Sequence, residues 1–111
     1  MRPDETLAEE IMELGRMDAP DRDTALRAAA ATLSELGQDG LQEMIRQHGR
    51  AVTAVVVAGT MMNDPDRHTP RDMGWAYEVA RLYGSQVRAA ADTRFHPTYL
   101  FKFILTAASV E

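Results

Sequence analysis

The chain has 111 residues, 45% of them apolar, with 12 Lys+Arg against 17 Asp+Glu and a formal net charge of −5. That is the size of one domain around one core, residues 1–111, and the apolar share argues against wholesale disorder. Cysteine is absent, which excludes a disulfide framework, a thiolate metal site and a cysteine nucleophile.

The segment from Met1 to Gly15 is acidic and has none of the apolar run that a secretory signal needs, so a cytoplasmic protein is expected. Pro3 suits the first turn of a helix, and Asp4 and Glu5 suit the positive end of its dipole. Leu7, Ile11 and Leu14 then repeat at i, i+4, i+7, which predicts a helix over 3–17. Met17 to Pro20 breaks it, and Pro20, Asp21 and Asp23 start a second helix. Leu26, Ala29, Ala30, Leu33 and Leu36 mark its inward face, and Gly37 stands where a helix stops.

Asp39 with Gln42 three residues on has the spacing of a capping box, ahead of a short stripe of Leu41, Met44 and Ile45. Gly49 interrupts the chain. From Ala51 to Asn63 there is no charge for 13 residues, too short for a membrane span of roughly 18 or more and the right length for a buried helix. Its valines favour a strand by propensity; helix is expected because the surroundings are helical and a lone strand has no partner. Two prolines make 63–72 a loop, after which Thr69 as N-cap, Pro70 and Asp72 start a helix running to about Ala91. Met73, Ala76, Tyr77, Ala80, Gly84, Val87 and Ala91 are assigned to one face, the buried one, widened by Trp75, Val79 and Leu82. A break at Arg94 to Pro97 precedes a strongly apolar end, Tyr99 to Val110, also read as helix. The expectation is an all-α protein, a compact bundle of five or six helices.

No motif names a chemistry. His48, His68 and His96 stand at no metal-ligand spacing from one another, and there is no His-Glu-x-x-His. Each has a structural role available: His48 can bond the last carbonyls of its helix, and His96 can cap. Asp64, Asp66 and His68 alternate like the start of a calcium loop. Thr69 then stands where glycine is needed, and Trp75 where glutamate is needed. A solvated turn is the reading preferred to a metal or ligand site. Serine occurs only at 34, 85 and 109, never in Gly-x-Ser-x-Gly, and neither a Gly-x-Gly-x-x-Gly nor a phosphate-binding loop is present. No enzyme, cofactor or metal is therefore expected. The helix pair around Gly37 departs from a helix-turn-helix at Leu33 and Glu43 and offers only Arg46 with Gln42 or Gln47 to bases. With an acidic chain, nucleic-acid association ranks below protein binding.

Charge is distributed unevenly. Residues 1–24 hold eight acids and three arginines, so the whole excess lies there. Glu5, Glu9 and Glu13 share one helix face: a solvated surface on one reading, a docking stripe for a basic partner on the sharper one. Arg81 and Arg88 lie seven apart beside Trp75, and arginine and aromatic residues are the usual interface anchors. Tyr99 and Phe103 belong to an apolar stretch broken only by Lys102, which predicts a homodimer contact if it is not central to the bundle. The expected function is thus a small non-enzymatic protein-binding module: an adaptor, regulator or inhibitor. A nucleic-acid-associated transcriptional regulator and a small metal- or ligand-binding helical protein are the alternatives. Arginine outnumbers lysine 11 to 1, a bias expected of a GC-rich bacterial or phage genome.

Overall fold

Asp4 begins the first helix in the computed structural model, which describes residues 3–90 apart from the side chains of residues 38 and 88–90. Its carboxylate accepts the Leu7 N–H at 2.8 Å, so α1 spans Glu5–Arg16 and Pro3 lies just outside it. The second helix, α2, spans Ala19–Leu36 with Pro20 in its first turn. Gly37 ends α2 at φ 70°, a conformation that L side chains disfavour. The capping box expected at Asp39 does not form. Residues Gln38–Gly40 instead make a 3-10 turn, and α3 (Leu41–His48) opens at Gly40 with no side-chain cap. Gly49, at φ 86°, both ends α3 and begins α4 (Arg50–Asn63), letting the chain turn between two helices with no loop at all. A second 3-10 turn, Pro65–Arg67, leads to α5 (Pro70–Ala90), where Thr69 Oγ1 accepts the Asp72 N–H at 3.2 Å as the N-cap.

These five helices form an all-α bundle with no strand among the described residues. The valine-rich segment is helix because burial on every side outweighs β propensity. Thr53, Ala54, Val55, Val56, Ala58, Gly59 and Met61 are all buried, and α4 meets each of the other four helices. It is therefore the central helix of the described bundle. The most extensive contact joins α1 to α5, the first and last of the described helices. Gly15 makes that contact close: a Cβ there would stand 2.8 Å from both the Tyr83 carbonyl oxygen and the Gln86 Cβ. The core runs from Ile11 and Leu14 through Leu26, Ala29, Ala30 and Leu33 to Met44, the α4 residues, and Met73, Ala76, Val79, Ala80, Tyr83 and Val87.

Two expected positions are corrected. Leu36, assigned to the inward face of α2, is 42% exposed because the core contact of that helix ends at Leu33. Tyr77, assigned to the buried face of α5, is 52% exposed, while Tyr83 is 1% exposed. The cause is that α5 serves two partners, α1 and α4, so its buried arc turns toward Val79 and Tyr83. The apolar stretch from Tyr99 to Val110, the break before it and any dimer contact made by it lie outside the described residues. No helix among the described residues is long and apolar enough to cross a membrane.

Candidate functional site

The outward face of α1 follows from its inward one. Ile11 and Leu14 are buried, so Glu5, Glu9 and Glu13 are carried to the opposite side, where all three are exposed. A rise of about 1.5 Å per residue spreads them over about 12 Å along the axis. None of the three forms an ion pair among the described residues. Glu10, on the flank of the same helix, behaves differently: Arg50 at the start of α4 donates to it from Nε at 3.2 Å and from Nη2 at 3.1 Å. Asp4 stands 3.9 Å from the same guanidinium. Asp4 and Glu10 on the flank are thus paired with α4, and Glu5, Glu9 and Glu13 are not paired among the described residues.

Several of the basic residues are engaged within their own helices or turns. Arg81 donates to Glu78 through Nε at 3.0 Å and Nη2 at 2.6 Å. Arg46 makes two hydrogen bonds to Glu43, and Gln47 adds one at 2.8 Å. These bonds hold the Glu43 carboxyl down at about 2, with Arg46 the leading cause. The arginine that the helix-turn-helix comparison left for bases is therefore committed elsewhere. Trp75 is half-buried and packs against the core rather than standing free beside Arg81. The Arg88 side chain, Tyr99 and Phe103 lie outside the described residues. Of the residues predicted to bind a partner, the structure brings Glu5, Glu9 and Glu13 together and sets Trp75 and Arg81 on a different helix.

In the 64–68 turn, Arg67 pairs with Asp64 at 3.1 Å, and Asp66 is exposed. No group of three His, Asp or Glu side chains among the described residues is placed to hold a metal ion. His48 does not cap its own helix as expected. Its Nε2 lies 2.8 Å from Thr32 Oγ1, and that hydroxyl donates to the Ala28 carbonyl. Nε2 is then the donor to Thr32, and the pair links α3 to α2.

One polar cluster was not legible in the sequence. Arg22 reaches back from α2 and donates from Nη1 to the carbonyls of Gly15 and Met17, each at 3.3 Å, closing the end of α1. Its Nε stands 3.6 Å from Asp23 Oδ1, and neither atom has a hydrogen-bond partner. Tyr83 Oη is buried and also without one. Burial, opposed by Arg22 and aided by Asp23, pushes the Tyr83 phenol above its ordinary value. In the sequence, Arg22 and Asp23 look like ordinary surface charges at an acid-rich helix start, and only the fold turns them inward.

No protein family, curated protein or solved structure matches this chain.

Proposed function

We propose that this chain is a small non-enzymatic protein-binding module, an adaptor, regulator or inhibitor that acts in the cytoplasm and docks a basic surface of another protein on α1. The observation that supports the reading is the contrast on that helix. Glu10 is neutralised by Arg50, whereas Glu5, Glu9 and Glu13 stand exposed and unpaired along about 12 Å of one face. Like charges at four-residue spacing destabilise a helix slightly, so a face carrying three of them without pairing fits a surface that gains from contact with opposite charge. A basic helix or groove complements such a stripe, with on-rate and salt dependence as the main signatures.

Affinity capture from a lysate of the native host tests this, comparing the wild-type chain with a Glu5→Gln, Glu9→Gln, Glu13→Gln variant over a salt series. A captured protein with a basic surface should be lost from the triple variant and from the wild type at high salt. A partner retained equally by both, at all salt concentrations, overturns the reading. The proposal also includes self-association through the apolar sequence around Tyr99 and Phe103, the residues that would otherwise present a large greasy patch. Light scattering should give about twice the chain mass, and Phe103→Glu should lower it; a strict monomer at all concentrations removes that part.

A further inference from the structure

Two turns of the described chain rest on glycines at positive φ, and they stand at either end of one short helix. Gly37, at φ 70°, leads through the Gln38–Gly40 turn into α3, and Gly49, at φ 86°, ends α3. Both glycines are exposed, and a Cβ on either would meet nothing within 4 Å. Glycine takes positive and negative φ about equally well, so the torsions at both ends can change without driving a side chain into a neighbour. Residues at element ends that absorb such changes are what hinges are made of.

The helix between the two glycines is lightly held. It packs on α2 and α4. Of its eight residues Met44 alone is buried, with Leu41 and Ile45 half-buried, whereas α4 buries seven of its 14. Glu43, Arg46 and Gln47 bond to one another and so hold nothing outside α3. Among the described residues, one side-chain hydrogen bond ties α3 to another helix, that of His48 Nε2 to Thr32 Oγ1 on α2, at 2.8 Å.

We propose that α3 is a flap: it opens as one unit on Gly37 and Gly49, drawing Met44 out of the core, and the His48–Thr32 bond latches it shut. Opening breaks the latch and the apolar contacts around Met44 and Leu41 and leaves the packing of α1, α4 and α5 on one another in place. Segments with so few buried apolar contacts open well before the whole molecule unfolds. Once detached, a helix of eight residues is too short to persist in water, so the open flap gives its backbone N–H groups to solvent. The open form presents the apolar faces of α2 and α4 that Met44 otherwise covers.

The test is native-state hydrogen exchange of the full chain, followed amide by amide by NMR over a series of sub-denaturing urea concentrations, for the wild type and Thr32→Val. The amides from Ile45 to Gly49 should exchange together and faster than the slowest of α4. Their urea dependence should be weaker than that of α4 yet measurable, because opening exposes Met44 and Leu41. Thr32→Val keeps the shape of the side chain and removes the acceptor, and should speed these amides by about two- to tenfold. Amides of α3 that share both the rate and the urea dependence of α4 overturn the proposal, since α3 then opens only with the whole bundle. So do amides that exchange one by one with no urea dependence, which is fraying, and so does a Thr32→Val chain whose α3 exchange is unchanged. If that variant does not fold, the urea series on the wild type decides alone.

Discussion

Two glycines within helices show how far one methyl group can change sign with its surroundings. At Gly15 a Cβ would meet the Tyr83 carbonyl at 2.8 Å. That oxygen belongs to the α5 backbone and cannot swing aside as a side-chain tip can. Overpacking costs about 1–3 kcal/mol, against a helix-propensity gain of about 1 kcal/mol for alanine. Gly15→Ala should therefore lower stability by up to about 2 kcal/mol. Gly74, in α5, has nothing within 4 Å of the same added atom. Gly74→Ala should raise stability by about 0.5–1 kcal/mol, the propensity gain alone. Denaturant midpoints of the two variants, moving in opposite directions from the wild type, check both.

Among the elements, α3 is the shortest helix at eight residues, below the length at which an isolated helix persists. It is stapled on its outer side by Glu43, which accepts from both Arg46 and Gln47. The Glu43 carboxyl lies at about 2, below its ordinary 4.5, so the folded state holds the charged form more tightly than the unfolded chain does. Its contribution is therefore present above about 4.5 and is lost as pH falls toward about 2. A carbon-13 NMR titration should give Glu43 a midpoint near 2, and Arg46→Ala should return it toward 4.5. Element by element, most starts and stops were legible to within two residues, the capped start expected at Asp39 excepted. Asp4, Pro20, Gly37, Gly49 and Thr69 act locally, through caps and backbone torsions that need no partner. The inward faces of α1 and α2 were legible down to Leu33 for the same reason: each has one clear apolar stripe. The face of α5 was not, because a helix that packs against two neighbours buries an arc set by where they lie. Tyr77 and Tyr83 are both tyrosines on a periodic helix, and only the approach of Gly15 to α5 decides which is inside. In the candidate site, the exposed stripe of Glu5, Glu9 and Glu13 was readable from spacing alone, while the burial of Arg22 on α2 and of Tyr83 on α5 depends on how separate helices pack and left no pattern.

For the whole molecule, the charge imbalance predicted from the first 24 residues survives folding only on one side. Arg50 draws Glu10 and Asp4 to the bundle, and the remaining α1 carboxylates repel one another in solvent. The Glu5→Gln, Glu9→Gln, Glu13→Gln variant should accordingly be more stable than the wild type by a few tenths of a kcal/mol, about 0.2–0.5 per relieved pair. Added salt should narrow the difference, because it screens the repulsion only where charge remains. A triple variant that melts below the wild type at low salt would show that these side chains support the helix instead. The same closure of the described bundle, α1 against α5, also sets a schedule for the chain as it leaves the ribosome. Gly15 emerges 71 residues before Gln86, the residue it packs beside, a delay of roughly 4–14 s at about 5–20 residues per second. Until then α1 lacks the most extensive of its contacts. A nascent chain stalled just short of α5 would leave the apolar face of α1 open on that side.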